Sequence, residues 1–334
     1  MSIANEPPSD SSRTPIANFS SADLLRMIDE HPIVMKTYIL PTPMLQRTYN
    51  LVRERVWARR TGLNFYSTPR IGKTTCLMMI KGMLEAEFPK TFFLLISARS
   101  SRPSDAHMFR LLLEGLNHEL AGRTNSGVLF RNTVTDIAMQ VGRRRGMQFV
   151  LLIDEMQLLS GADLGQLLVV HNDLKLKNIN MTTLSFAQPE ILHRRAAMMI
   201  AGERQIIARF LSEPLAFDGC TSVEELKEIL KTFDEGTEYP EGSGWSYTRF
   251  FLPQAFEQGF RLRTYASRLW SALTAANAGG ESSGLPMEHT IATIESLLQM
   301  ARASDCANFV LSDSDLEDAV DASQLRSFTT MMQE

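Results

Sequence analysis

Gly72, Lys73 and Thr74 close the stretch STPRIGKTT (67–75), which departs from the phosphate-binding pattern G-x-x-x-x-G-K-[ST] at one position: Ser67 stands where the first glycine belongs. An apolar run enters this stretch and a helical pattern leaves it, so the turn is expected at a helix N-terminus, where free N–H groups and the helix dipole attract phosphate. Pro69, Arg70, Ile71 and Thr75 complete the loop; Lys73 is placed to reach the β- and γ-phosphates of ATP, and the Thr74 hydroxyl to hold Mg²⁺. The first glycine of the pattern supplies backbone freedom, and a serine replaces it if its φ stays negative, so Ser67 weakens the motif without breaking it. The plain alternative is an ordinary turn with a surface lysine.

A second site lies downstream, in FVLLIDE (149–155). An apolar strand ending in two acids puts Asp154 at the sheet's carboxyl edge, where it can join the Mg²⁺ shell, and Glu155 beside the γ-phosphate, where it can orient and deprotonate water. The two motifs together are far more specific than either alone; a solvated acid pair at a strand end is the plain alternative. One strand later MTTLSFAQPE (181–190) places a polar tip, Gln188 or Ser185, between the two loops, unless Pro189 makes it merely a turn. Arg204 and Arg209 in GERQIIARFLSEPL (202–215) are candidates for an arginine that stabilises charge across a subunit boundary, or for solvated helix residues. Arg263 is a candidate to reach back toward the phosphates, or a surface ion pair.

These residues need a framework, and the alternation of patterns supplies it. Residues 63–67, 91–97, 148–153 and 181–187 are short, nearly continuous apolar runs, as expected of strands covered on both faces, and PLAF (214–217) reads as a last strand. Helical stretches lie between them at 73–86, about 104–120, 128–142 and 161–177. This predicts an α/β fold with a parallel sheet and right-handed crossovers. Helices at 20–31, ended by His31-Pro32, and at 42–60 precede it; residues 1–20 read as a mobile tail. From about 220 the strands stop. Ser222 with Glu225 caps a helix, 234–246 is a Gly/Pro-rich loop, 254–277 is helical in pattern, AGGESSG is a linker, and Ser314 with Glu317 caps a last helix. The expected organisation is a tail (1–20), an N-terminal helical segment (21–60), a nucleotide-binding core (61–219) and a helical lid (220–334).

Composition excludes other classes. The 334 residues are 44% hydrophobic and 22% charged, in the range of soluble globular proteins. No run approaches the about 18 uninterrupted apolar residues of a membrane helix, and the N-terminus lacks a secretory pattern, so a cytoplasmic location is expected. Cys76, Cys220 and Cys306 are scattered and odd in number, which argues against disulfides and zinc, and they read as buried thiols. The net charge of -4 does not advertise nucleic-acid binding, but averages hide patches. Arg47, Arg53, Arg55, Arg59 and Arg60 face the single acid Glu54, Arg99 and Arg102 follow the second strand, and Arg143 and Arg144 lie in GRRRG (142–146). Each group is a candidate for DNA phosphate contact or a solvated face.

STPRIGKTT, FVLLIDEMQLL, LSFAQPEIL, ERQIIARFLSEPLAF and GSGWSYTRFFLPQAFEQGFRLR together resemble the AAA+ ATPase regulators of transposition, TnsC in particular, with TniB and MuB as relatives and the ExeA-type ATPases sharing the QPE and ARF features. The resemblance covers about 32–320. It implies a P-loop AAA+ core with a C-terminal helical lid, ATP and Mg²⁺ as cofactors, and ATP-driven assembly of hexameric or heptameric rings, or filaments, around double-stranded DNA. It also implies a TniQ-like target-selection protein and transposase subunits as partners, and no membrane. By motif position Lys73, Thr74, Asp154 and Glu155 inherit the ATP and Mg²⁺ roles, Gln188 the sensor role, Arg204 or Arg209 the finger role, and Arg263 the lid role. Two other readings stay open: a nucleotide-gated DNA scaffold with little turnover, and an AAA+ loader of a helicase or secretion complex.

Overall fold

The apolar runs form five strands, β1 (Gly62–Tyr66), β2 (Phe92–Ser97), β3 (Gln148–Asp154), β4 (Asn180–Ala187) and β5 (Pro214–Ala216), paired in the order β2-β3-β4-β1-β5 with every pairing parallel. The chain is an α/β P-loop fold. In this computed structural model residues 21–102, 104–119, 125–278 and 284–333 are described; the expected tail 1–20 and most of the linker at 278–284 lie outside them. The described residues fall into two compact units, one drawn from Pro43–Thr221 with Glu281–Glu288, the other from the segment up to Thr42 with Ser222–Gly280 and His289–Glu334.

In the sheet unit the two-residue period of a strand sorts the core into two layers. Phe149, Leu151 and Ile153 point into one, with Leu112, Ile137 and Leu167 from the crossover helices. Val150 and Leu152 point into the other, with Leu77, Ile80 and Leu84 of the helix Lys73–Glu87 and Val52 and Val56 of the helix Pro43–Trp57. Every residue of β3 is buried, which is why its sequence is apolar from Phe149 to Ile153. Parallel pairing puts the ends Tyr66, Ser97, Asp154 and Ala187 on one edge of the sheet. The helix expected at 104–120 spans only His107–Gly115.

The helical unit departs more from the sequence reading. The pattern at 254–277 is divided into Pro253–Glu257, a 3-10 turn Leu262–Tyr265 and Ala266–Ala276, because Gly259 takes φ +94° and the Phe260 N–H bonds back to the Ala255 carbonyl at 3.0 Å. The helix Asp313–Ala322 is capped by Ser312, whose hydroxyl accepts from the Asp315 N–H at 3.2 Å, and not by Ser314 with Glu317. Ser312 is still extended there, so Ser314 already lies inside the helix. A further helix, Leu325–Gln333, follows. Cys76 and Cys220 are buried as expected, but Cys306 is exposed, because it sits in the turn after Arg302–Ser304. Among the described residues no helix is long and apolar enough to cross a membrane.

Each unit buries a neutral imidazole. His31 of the helical unit sits among the rings of Tyr239, Tyr247, Phe250 and Phe251 at 4.6 to 4.8 Å, and its Nδ1 accepts from the Ile33 N–H at 3.0 Å. His171 of the sheet unit packs edge-on against Phe210 at 6.2 Å. Burial pushes each pKa down to about 4, helped at His171 by Arg209 and Lys175. The unfolded chain therefore binds these protons more readily than the folded one. The contribution of each imidazole is full above its ordinary value of 6.5 and is lost as pH falls toward 4. Between pH 6.5 and 5 the His171 imidazole is expected to remove about 2 kcal/mol from the stability of the sheet unit. Urea unfolding across that range checks this: His171→Leu should flatten the slope by that amount, and an unchanged slope would contradict it.

Candidate functional site

The site is built where β1, β3 and β4 end. Ser67 follows β1, its N–H bonded to the Ala187 carbonyl at 3.1 Å, and it is buried. Its φ is not positive; the left-handed positions of the loop are Arg70 (φ +64°) and Gly72 (φ +97°). The turn thus places its conformational demand on residues other than Ser67, which is why serine is accommodated. Ile71 is buried and anchors the loop to the core, Pro69 is half-buried, and Thr75 is exposed on the first turn of the helix. The Arg70 carbonyl accepts from the Glu288 N–H at 3.1 Å, which ties the loop to the segment 284–288.

Lys73 opens the helix Lys73–Glu87 and is buried; its ammonium donates to the carbonyls of Ser67 at 3.0 Å and Thr68 at 2.7 Å. Burial lowers its pKa from the ordinary lysine value, while the charges of Glu155, Asp154 and Glu190 oppose that shift. The neighbouring Thr74 hydroxyl donates to Asp154 Oδ2 at 2.6 Å, across from the loop to β3. A hydroxyl beside a buried carboxylate, next to an ammonium at a helix N-terminus, is an oxygen donor set suited to a hard divalent cation and its phosphate ligand. Thr74 and Asp154 therefore fit Mg²⁺, and Lys73 with the loop amides fits the phosphates.

Asp154 ends β3 and the chain then turns sharply, with Glu155 at φ +55° and its N–H bonded to Asp154 Oδ1 at 3.0 Å. That left-handed residue starts the 3-10 turn Met156–Leu158 and lets the side chain of Gln157 fold back on Glu155. The Gln157 amide donates to Glu155 Oε2, and Gln188 Nε2 donates to the same oxygen at 3.1 Å. Gln188 is therefore the polar tip at the end of β4. Ser185 is not: it is fully buried within the sheet, accepting from Asn64 Nδ2 at 2.8 Å and donating to the Leu63 carbonyl at 3.4 Å. Sequence reasoning missed Gln157 and Glu190. A lone polar residue inside the apolar run MQLL, two positions after Glu155, was the available signal for the first.

The remaining candidates come from other parts of the chain. Arg204 is exposed at the start of the helix Arg204–Phe210, and Arg209 on its last turn donates to the Gln205 carbonyl at 3.3 Å. Arg263 belongs to the helical unit, where it pairs with Glu235 while its N–H donates to the buried Asp234 at 3.1 Å. Arg99 pairs with Glu114, and Arg102 is exposed; both follow β2. Arg143 and Arg144 precede β3, Arg144 with its guanidinium over the Phe92 ring at 4.8 Å. Within the arginine group at 47–60, Arg53 bonds Glu87 at 2.6 Å and Arg55 pairs with Glu213, both acids remote in sequence.

Residues 63–194 match the family described as AAA domain, so this stretch is an AAA-type P-loop domain. No curated protein matches the chain by sequence. Among solved structures the fold resembles the Aeropyrum pernix ORC2 protein in its ADPNP-ADP complexes, at TM-score 0.57 and 15% identity over 88% of this chain and 72% of that one. It also resembles the ADP form of the same protein, at TM-score 0.54 and 17% identity over 89% and 72%. The third is the Aeropyrum pernix ORC1 protein in complex with DNA, at TM-score 0.51 and 14% identity over 88% and 68%.

Proposed function

We propose that this chain, built around its AAA-type P-loop domain, is an ATP-hydrolysing regulator of DNA transposition that assembles as a ring or filament on double-stranded DNA. In that reading it links a TniQ-like target-selection protein to the transposase. The observation that carries the ATP part is the convergence of Lys73, the Thr74–Asp154 pair and Glu155 on one sheet edge, with the hydroxyl and carboxylate 2.6 Å apart. Lys73 and the loop amides hold the phosphates, and Thr74 and Asp154 hold Mg²⁺, which when bound neutralises charge on the phosphate oxygens. Glu155 orients the attacking water and takes its proton, and Gln188 stands at the same carboxylate. Arg204 or Arg209, supplied from a neighbouring subunit, completes the site, so turnover depends on assembly; Arg263, which pairs with Glu235, is the candidate from the helical unit.

The DNA part rests on the motif resemblance in 184–192, 203–217 and 242–263, and on Arg99 and Arg102, which follow β2. The Aeropyrum pernix ORC1 protein, which shares the fold, was solved in complex with DNA. Electron microscopy with duplex DNA tests this: rings or filaments on DNA are expected with ATP and not with ADP, and a transposase subunit is expected to be retained by the ATP-bound assembly alone. Assemblies indifferent to nucleotide would contradict the proposal.

A further inference from the structure

Three side chains close a ring of hydrogen bonds around the carboxylate of Glu155. Gln157 Nε2 donates to Glu155 Oε2, Gln188 Nε2 donates to that oxygen at 3.1 Å, and the Gln188 backbone N–H donates to Gln157 Oε1 at 2.9 Å. Gln157 is 9% exposed, and both ends of its amide are engaged. A buried amide with donor and acceptor each satisfied has one orientation, since flipping it would set its oxygen against Oε2 and its NH₂ against an N–H. The backbone reinforces that choice, because Glu155 is held left-handed and the turn Met156–Leu158 is pinned to β1 through Asn64 Nδ2 and Met156 Sδ, 3.6 Å apart.

We infer that Gln157 is a positioning residue for the ATP hydrolysis proposed above: it locks Glu155 with Oε2 bound, leaving Oε1 to take the proton of water, and it couples that orientation to the end of β4 through Gln188. The inference rests on the hydrolytic reading, and it names a residue for which the phosphate loop and acid pair provide no role. Freedom of a general base costs rate, because a carboxylate that samples other rotamers is misaligned for most of its time. The hydrogen bonds of the amide go to Glu155 and Gln188, so nucleotide binding should be left intact.

The experiment compares wild type with Gln157→Leu, Gln188→Leu and the double variant. It measures kcat and KM for ATP with duplex DNA, the Kd for ADP by calorimetry, and hydrogen exchange at the Gln188 amide. Gln157→Leu should lower kcat about 10- to 100-fold with KM and Kd unchanged, the range of a lost orientation, and should speed exchange at the Gln188 amide. The double variant should be no worse than the poorer single one, because both act through one carboxylate. If Gln157→Leu fails to fold, Gln157→Glu serves: it keeps the acceptor for Gln188, and so the slow exchange, but replaces the donor by an anion and should lose kcat. Wild-type kcat in the Gln157 variants, multiplicative losses in the double variant, or a Kd that rises in step with the loss of kcat overturns the inference and leaves the hydrolytic reading standing. A wild type that binds ADP and does not turn over ATP overturns both.

Discussion

Lys73→Ala is expected to lower affinity for ATP and ADP by about 100-fold or more, the consequence of losing roughly 3 kcal/mol when one partner of a buried, charge-assisted contact is removed. The ammonium donates to the carbonyls of Ser67 and Thr68, and burial lowers its pKa. A polyphosphate offers it full negative charge in place of two carbonyl dipoles, which is the larger electrostatic gain in a site of reduced dielectric. The loop does not depend on the lysine for its path, since Ile71 is buried and the Arg70 carbonyl is held by Glu288. The variant should therefore keep the wild-type melting profile, and calorimetry should show the loss of binding. Wild-type affinity in a folded Lys73→Ala protein would remove Lys73 from the site.

The second large effect is a separation of binding from turnover. Glu155→Gln is expected to reduce ATP hydrolysis by about 10²- to 10⁴-fold while leaving nucleotide affinity within a few-fold, because an amide cannot take a proton from water. The substitution is nearly isosteric, and its carbonyl oxygen still accepts from Gln157 and Gln188, so the hydrogen-bonded ring persists. On the proposed function, DNA assemblies formed with ATP should then outlast those of wild type, since hydrolysis is the step proposed to dissolve them. Steady-state phosphate release, with dissociation from duplex DNA as the second readout, checks both halves. Equal turnover by the two proteins would establish that Glu155 is not the base and would favour a scaffold over an enzyme.

How much of this was legible in the sequence follows from which signals are local. The strands were legible because burial on both faces leaves an uninterrupted apolar run, as in FVLLI before Asp154. The phosphate loop was legible because Gly72, Lys73 and Thr74 act through fixed spacing. The clasp on Glu155 was not, since it depends on a left-handed residue at 155 that returns Gln157 to its own neighbour, and on a bond across 31 positions to Gln188. The same limit applies to charge. Arg53 and Arg55 find Glu87 and Glu213 only through the fold, so counting nearby acids left them unpaired. In the helical unit one glycine at 259 broke a pattern that read as continuous, and a cap shifted by two residues because Ser312 and Ser314 carry equivalent chemistry and only the backbone chooses between them.

One nucleotide per chain should be held by Lys73, the loop amides and the Thr74–Asp154 oxygens. Titration calorimetry of folded wild-type protein with ATP and magnesium, in the presence and absence of duplex DNA, addresses it directly. Saturable binding at one site per chain, abolished when magnesium is chelated and in Lys73→Ala, is the expected result. The absence of any nucleotide-dependent heat from folded protein under both conditions would contradict the account.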